Sequence, residues 1–218
     1  MIRQEIGNRK GEVTDYGNLG AVFHSLGEYT KAKEYHQKAL VIRKEIGHRH
    51  GEAEDCANLA TVFQVVGEYG KAVECFQMAI ACRKEIGDKE GEATNYENLG
   101  VLFEDLGEYS KAKKYHEKAL EISKEIGDRN GEATCYADLG TVFRSLGDYI
   151  EAEECLQKSL TITKEIENKE LEASCYQDLG TLFHSFGRYA KAEEYLKQAL
   201  SIAKELATEK KKEKVMKS

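Results

Sequence analysis

The chain has 218 residues, of which 33% are charged and 41% hydrophobic; it lacks proline and tryptophan and carries a formal net charge of −7. That length suits one ordinary domain or one elongated repeat domain. The acidic balance excludes the basic footprint of non-specific nucleic-acid binding, no apolar run approaches the roughly eighteen residues of a membrane span, and the opening Met1-Ile2-Arg3-Gln4-Glu5 is no secretory signal.

The first ten residues align with residues 41–50: Ile2-Arg3-Gln4-Glu5-Ile6-Gly7 repeats Ile42-Arg43-Lys44-Glu45-Ile46-Gly47. The chain is therefore expected to open inside the end of a helix, with 1–10 the remnant of a preceding unit and the whole a fragment of a longer array. From there a period of forty residues governs the sequence. It carries Leu19, Leu59, Leu99, Leu139 and Leu179, then Phe23, Phe63, Phe103, Phe143 and Phe183, then Gly27, Gly67, Gly107, Gly147 and Gly187. Self-similarity at such a period is the signature of a repeat architecture. Five units follow, at 11–50, 51–90, 91–130, 131–170 and 171–207, and a Lys-rich tail occupies 208–218.

Within the third unit, Ala93, Tyr96, Leu99, Gly100 and Phe103 share one helical face. Gly107 stops that helix, since glycine takes the left-handed conformation without a Cβ clash. A second apolar face follows at Tyr109, Ala112, Tyr115, His116, Ala119, Leu120 and Ile122, and Gly127 ends it. Asp128 is suited to accept a hydrogen bond from the amides that open the next helix. The unit reads as helix–turn–helix, with the small Gly100, Ala112 and Ala119 allowing close helix approach. The fourth linker, Glu167-Asn168-Lys169-Glu170-Leu171, lacks both glycines of the others; Asn168 is expected to supply an αL stop or an N-cap in a tighter or straighter turn. The run around Lys210, Lys211, Lys212 and Lys214 reads as a solvated helix end that complements the macrodipole.

Tyr96, Leu99-Gly100, Phe103, Gly107-x-Tyr109, Ala112 and Ala119-Leu120 together resemble the tetratricopeptide repeat, and the pattern recurs five times. Each unit is about six residues longer than the usual 34 or so, and the proline that commonly closes the second helix is replaced by Lys84, Lys124 or Lys164. The longer unit with its Asn-Leu-Gly step resembles repeats of the spindle-orientation adaptors of the Partner-of-Inscuteable type, and more distantly those of kinesin light chains. The resemblance implies an all-α, right-handed α-solenoid of tandem helical hairpins, first helices inside and second helices outside. It also implies a concave groove that binds protein segments.

That resemblance directs attention to the first helices. The residue before the repeated Leu is Asn18, Asn58, Asn98, Asp138 and Asp178 in turn. Asparagine is a poor choice inside a helix, and an amide's donor and acceptor suit an extended peptide backbone; in the resembling families an asparagine here contacts ligand main chain. The structural alternative is that each bonds the neighbouring repeat. Around that line lie His24, Thr61, Gln64, Glu97, Glu104, Asp105, Thr141, Arg144, Gln177, Thr181 and His184, with Thr14, Gly17, Ala21, Glu54 and Ala57 beside them. The middle is acidic and only Arg144 is basic, which favours a neutral or basic partner segment over an acidic tail.

Signs of chemistry are weak. His36 and His116 occupy a core step filled elsewhere by Phe76, Leu156 and Leu196. His48-x-His50 has no partner at metal spacing, His24-Ser25 and His184-Ser185 point apart on their helices, and no phosphate-binding loop is present. The six cysteines form no C-x-x-C pair and read as apolar fillers of a reduced, cytoplasmic protein. The expected role is a scaffold for a peptide or protein partner, with no catalytic residue, metal or cofactor and no nucleic-acid or membrane partner. The alternative is self-assembly through exposed repeat ends.

Overall fold

The structure is a computed structural model that describes the backbone of residues 2–216 and the side chains of residues 9–212. The side chains of most of the N-terminal remnant and of the end of the lysine tail lie outside the described residues. Among those described there are ten α-helices and no strand: α1 (Ile2–Ser25), α2 (Tyr29–Glu45), α3 (Arg49–Val65), α4 (Tyr69–Glu85), α5 (Lys89–Asp105), α6 (Tyr109–Ile126), α7 (Arg129–Leu146), α8 (Tyr149–Glu165), α9 (Lys169–Ser185) and α10 (Tyr189–Met216). The chain divides into two compact units, Met1–Leu106 and Gly107–Ser218. In the first, α1 to α5 pack each on the next; in the second, α6 to α10 do the same.

Two kinds of turn alternate. Those that end the first helices put Gly27, Gly67, Gly107, Gly147 and Gly187 at positive φ, and the Glu or Asp that opens the following helix makes no side-chain cap. Glu28, Glu68 and Glu108 instead pair with Lys31, Lys71 and Lys111 one helical turn on. The turns between hairpins carry true N-caps. His48 accepts from Gly51 N at 3.1 Å, Asp88 from Gly91 N at 2.9 Å and Asp128 from Gly131 N at 2.9 Å, each satisfying an amide the helix leaves orphaned.

The fourth linker is neither tighter nor straighter than these. Asn168 is its N-cap, accepting from Leu171 N at 3.0 Å, and its own N–H closes on Thr163 O at 2.9 Å as His48 N closes on Arg43 O. The αL position falls on Glu167, at φ 57°, where the equivalent residues are Gly47, Gly87 and Gly127. Packing of the flanking helices holds the turn, and a side chain accepts the strained conformation. At the N-terminus α1 runs unbroken through Gly7 to Ser25. Helix-favouring Arg9, Lys10 and Glu12 continue the helix.

Small residues set the helix approach. A Cβ on Gly140 would stand 2.6 Å from Leu156, one on Gly180 2.7 Å from Leu196, and one on Gly20 2.6 Å from His36. Alanines with no exposed surface, Ala32, Ala72 and Ala152, complete the contact. His36 and His116 are buried at the core step, as are Phe76 and Leu156. Leu196 departs from this pattern and is 43% exposed.

Candidate functional site

The first helices place the amide row at one register. Asn18 and Asn58 line a single cavity of about 510 Å³ in the first unit, walled by Thr14, Gly17, Ala21 and Ala57. Glycine and alanine at these steps leave the floor open. Asn98 lines the adjacent cavity of about 420 Å³ with Thr94, Asn95 and Glu90. Asn18 and Asn58 are exposed and Asn98 half-buried. Downstream in this unit, Gln64 donates to Asp105 at 2.8 Å across consecutive first helices, which brings two of the expected groove residues together. Glu97 and Glu104 are half-buried.

The pattern on the first helices did not reveal the arginines in these cavities. Arg43 and Arg83 come from the second helices and line the first cavity together; Arg83 also lines the second. The expectation that Arg144 is the lone basic group is thereby corrected. Each arginine is already committed. Arg43 lies 2.7 Å from the buried Asp55 and 3.3 Å from Glu54, while Arg83 pairs with Asp88. The Asp88 carboxyl is held below its ordinary range, first by the Gly91 amide and then by this guanidinium. A signal was present in the sequence: eight residues after each arginine stands Gly51 or Gly91, and the guanidinium fills the space a Cβ would need. Where the register position is Thr163, the later residue is Leu171.

In the second unit the row reads differently. Asp138 is half-buried, with a carboxylate oxygen 3.6 Å from the buried His116 ring, so this member of the row faces the preceding second helix. Asp178 is half-buried, and burial pushes its carboxyl up to about 6 against the opposing charge of Arg144. The Thr181 and Thr61 hydroxyls donate back to the carbonyls of Gln177 and Ala57; Gln177 is exposed and Thr141 half-buried. His24 and His184 sit edge-on against Tyr29 and Tyr189, at 5.6 and 5.4 Å. That is hairpin-closing packing, in line with their place at the helix ends.

Helical hairpins that repeat at forty residues, with a polar row and open cavities on their first helices, define a helical-repeat protein of the all-α solenoid class. The tetratricopeptide repeat family model matches residues 12–85, 54–125, 91–165 and 131–205, nearly the whole chain, and the chain belongs to that family. Its fold is similar to that of BtubC (BKLC) from P. vanneervenii, at 21% identity and a TM-score of 0.77 over 94% of this chain and 92% of that one. It is also similar to the nearly identical tetratricopeptide-like repeats of a putative kinesin light chain from Podosopora anserina, at 17% identity and a TM-score of 0.75 over 90% and 96%. A third likeness is to a Rap protein complexed with competence and sporulation factor, at 19% identity and a TM-score of 0.72 over 89% of this chain and 54% of that one. No curated protein matches at the level of sequence.

Among the described residues, no helix is long and apolar enough to cross a membrane, and no three His, Cys, Asp or Glu side chains gather as metal ligands do.

Proposed function

We propose that the chain is a non-catalytic scaffold that captures an extended peptide segment along its first helices. The observation that carries this reading is the cavity shared by Asn18 and Asn58, whose floor of Gly17, Ala21 and Ala57 admits a peptide main chain to both amides. The partner segment is neutral to basic. Arg43 and Arg83 are each neutralised by a carboxylate, and Glu54, Glu90, Glu97, Glu104 and Asp105 give the row an acidic balance. The Rap protein complexed with competence and sporulation factor supports the general mode by analogy of fold. A reducing, cytoplasmic setting belongs to the same proposal, since none of the six cysteines forms a disulfide.

The test is a displayed peptide library panned against the chain and against the double variant Asn58→Ala, Asn98→Ala, with melting measured on both. Loss of the amides is expected to weaken selected peptides by about 1–2 kcal/mol, roughly five- to thirtyfold, at unchanged melting temperature. A fall in stability with affinity intact would assign the row to the framework instead.

A further inference from the structure

The cavity of about 420 Å³ that Asn98 lines is walled by α3, α4 and α5 of the first unit and shares Ala57 and Arg83 with the cavity of Asn18 and Asn58. Together the two cavities set four carboxylates, Glu54, Asp55, Asp88 and Glu90, against two guanidinium groups, Arg43 and Arg83. Asp55 and Asp88 answer the two arginines, so Glu54 and Glu90 are the excess. Glu54 lies 3.3 Å from Arg43, whose charge Asp55 already meets at 2.7 Å. Glu90 is exposed, and no ion pair among the described residues engages its carboxylate.

A buried acceptor borders the same cavity without a donor. Asn95 lines it and is 2% exposed. Its amide N–H donates back along α5 to Gly91 O at 2.7 Å, which leaves the carbonyl end of the amide toward the cavity, and Oδ1 has no hydrogen-bond partner among the described residues. The preceding repeat shows why. Asp55 holds this register in α3 and lies 2.7 Å from Arg43; Arg83, the register counterpart of Arg43, turns to Asp88 instead. A buried acceptor without a donor is costly, and a ligand N–H removes that cost. His50 stands at the mouth. Its side chain is more than half exposed, with Nδ1 3.5 Å from Glu54 of α3 and Nε2 4.0 Å from Asp88 at the start of α5. Arg83 of α4 lies 3.5 Å from the same Nε2, and Glu90 of α5 lines the cavity with it. An imidazole set between two carboxylates of consecutive repeats occupies the place that best suits a cation.

We propose that this cavity is the subsite for one lysine or arginine side chain of the captured peptide, whose N–H groups answer Glu54, Glu90 and Asn95 Oδ1, and that His50 is a tethered competitor which the side chain displaces. This inference rests on the groove reading and names the side chain that the groove selects. Asn58 and Asn98 hold the main chain on either side of Ala57, and the basic side chain enters beside Asn98. Arg83 opposes a second cation, and its pairing with Asp88 blunts that repulsion. When the His50 ring takes a proton it carries the positive charge itself. It then competes more strongly for Glu54 and Asp88, so His50 weakens capture of a basic side chain most in mild acid.

The experiment takes peptides panned from a displayed library on the native chain and titrates each beside a copy carrying glutamine in place of its basic residue. Melting is measured on every variant. The selected peptides are expected to share one lysine or arginine, and the glutamine copy to bind the native chain roughly five- to tenfold more weakly. Glu90→Gln, at an exposed position, is expected to weaken the basic peptide roughly two- to fivefold and to leave the glutamine copy unchanged. His50→Ala is expected to tighten the basic peptide roughly two- to threefold at pH 7.5 and further at pH 6, with no gain for the glutamine copy. Selected peptides that share no basic residue overturn the subsite, and so does a Glu90→Gln chain that melts normally and treats both peptides alike. If Asn58→Ala with Asn98→Ala still weakens those peptides, the groove reading stands without it. A His50→Ala chain that shifts both peptides equally, or gains nothing at pH 6, overturns the competitor. A library that yields no binder overturns the groove reading and the subsite together.

Discussion

Asp178 offers the sharpest test of the site's electrostatics. Its carboxyl is pushed up to about 6 from an ordinary 3.8 by burial, with Arg144 opposing the rise. A carboxylate whose folded pKa is raised costs stability once it ionises. Below about pH 4 it is protonated in both states and costs nothing; the penalty grows between pH 4 and 6 and is complete above about 6. The gap corresponds to a ceiling of about 3 kcal/mol; since the group is half-buried and partly screened, about 1–2 kcal/mol is expected. Asp178→Asn keeps the shape and removes the charge. Urea unfolding followed by circular dichroism from pH 4 to pH 8 is therefore expected to find the variant more stable by that amount at pH 7 and equal to the native chain near pH 4. A variant that is less stable at pH 7, or a difference that ignores pH, would refute the reasoning. The same physics bears on binding. A basic ligand side chain beside Asp178 stabilises the ionised form, so capture of a basic peptide there is expected to weaken as pH falls below about 6.

Three further predictions follow from single features. Glu167→Gly relieves a left-handed residue at a cost of glycine chain entropy, and a net gain of about 0.5–1 kcal/mol is expected in denaturant titration. Asp88→Ala removes the N-cap of α5 and the partner of Arg83; a loss of about 1–2 kcal/mol is expected at neutral pH. Because the Asp88 pKa is lowered, that contribution is present above the ordinary 3.8 and disappears as pH falls through the folded value. Phe103→Ala empties a core position that is 6% exposed, and a loss of about 3–5 kcal/mol is expected by thermal or urea unfolding.

The sequence by itself determined the repeat, the helix–turn–helix unit, the N-cap at Asp128 and the buried place of His36 and His116. Each follows from periodicity and from local backbone chemistry, which act over a few residues and leave a trace in the order of side chains. Local patterns failed where packing competes with propensity. Glu167 takes the conformation reserved for glycine because α8 and α9 are held by their neighbours. The amide row was legible as a row, since it sits at one step of a forty-residue period. Its surroundings were not. Arg43 and Arg83 reach the Asn18, Asn58 and Asn98 cavities from a different helix, and Asp138 lies against His116. Which side chains share a cavity depends on distances between helices far apart in sequence, and those distances are set only when the helices pack.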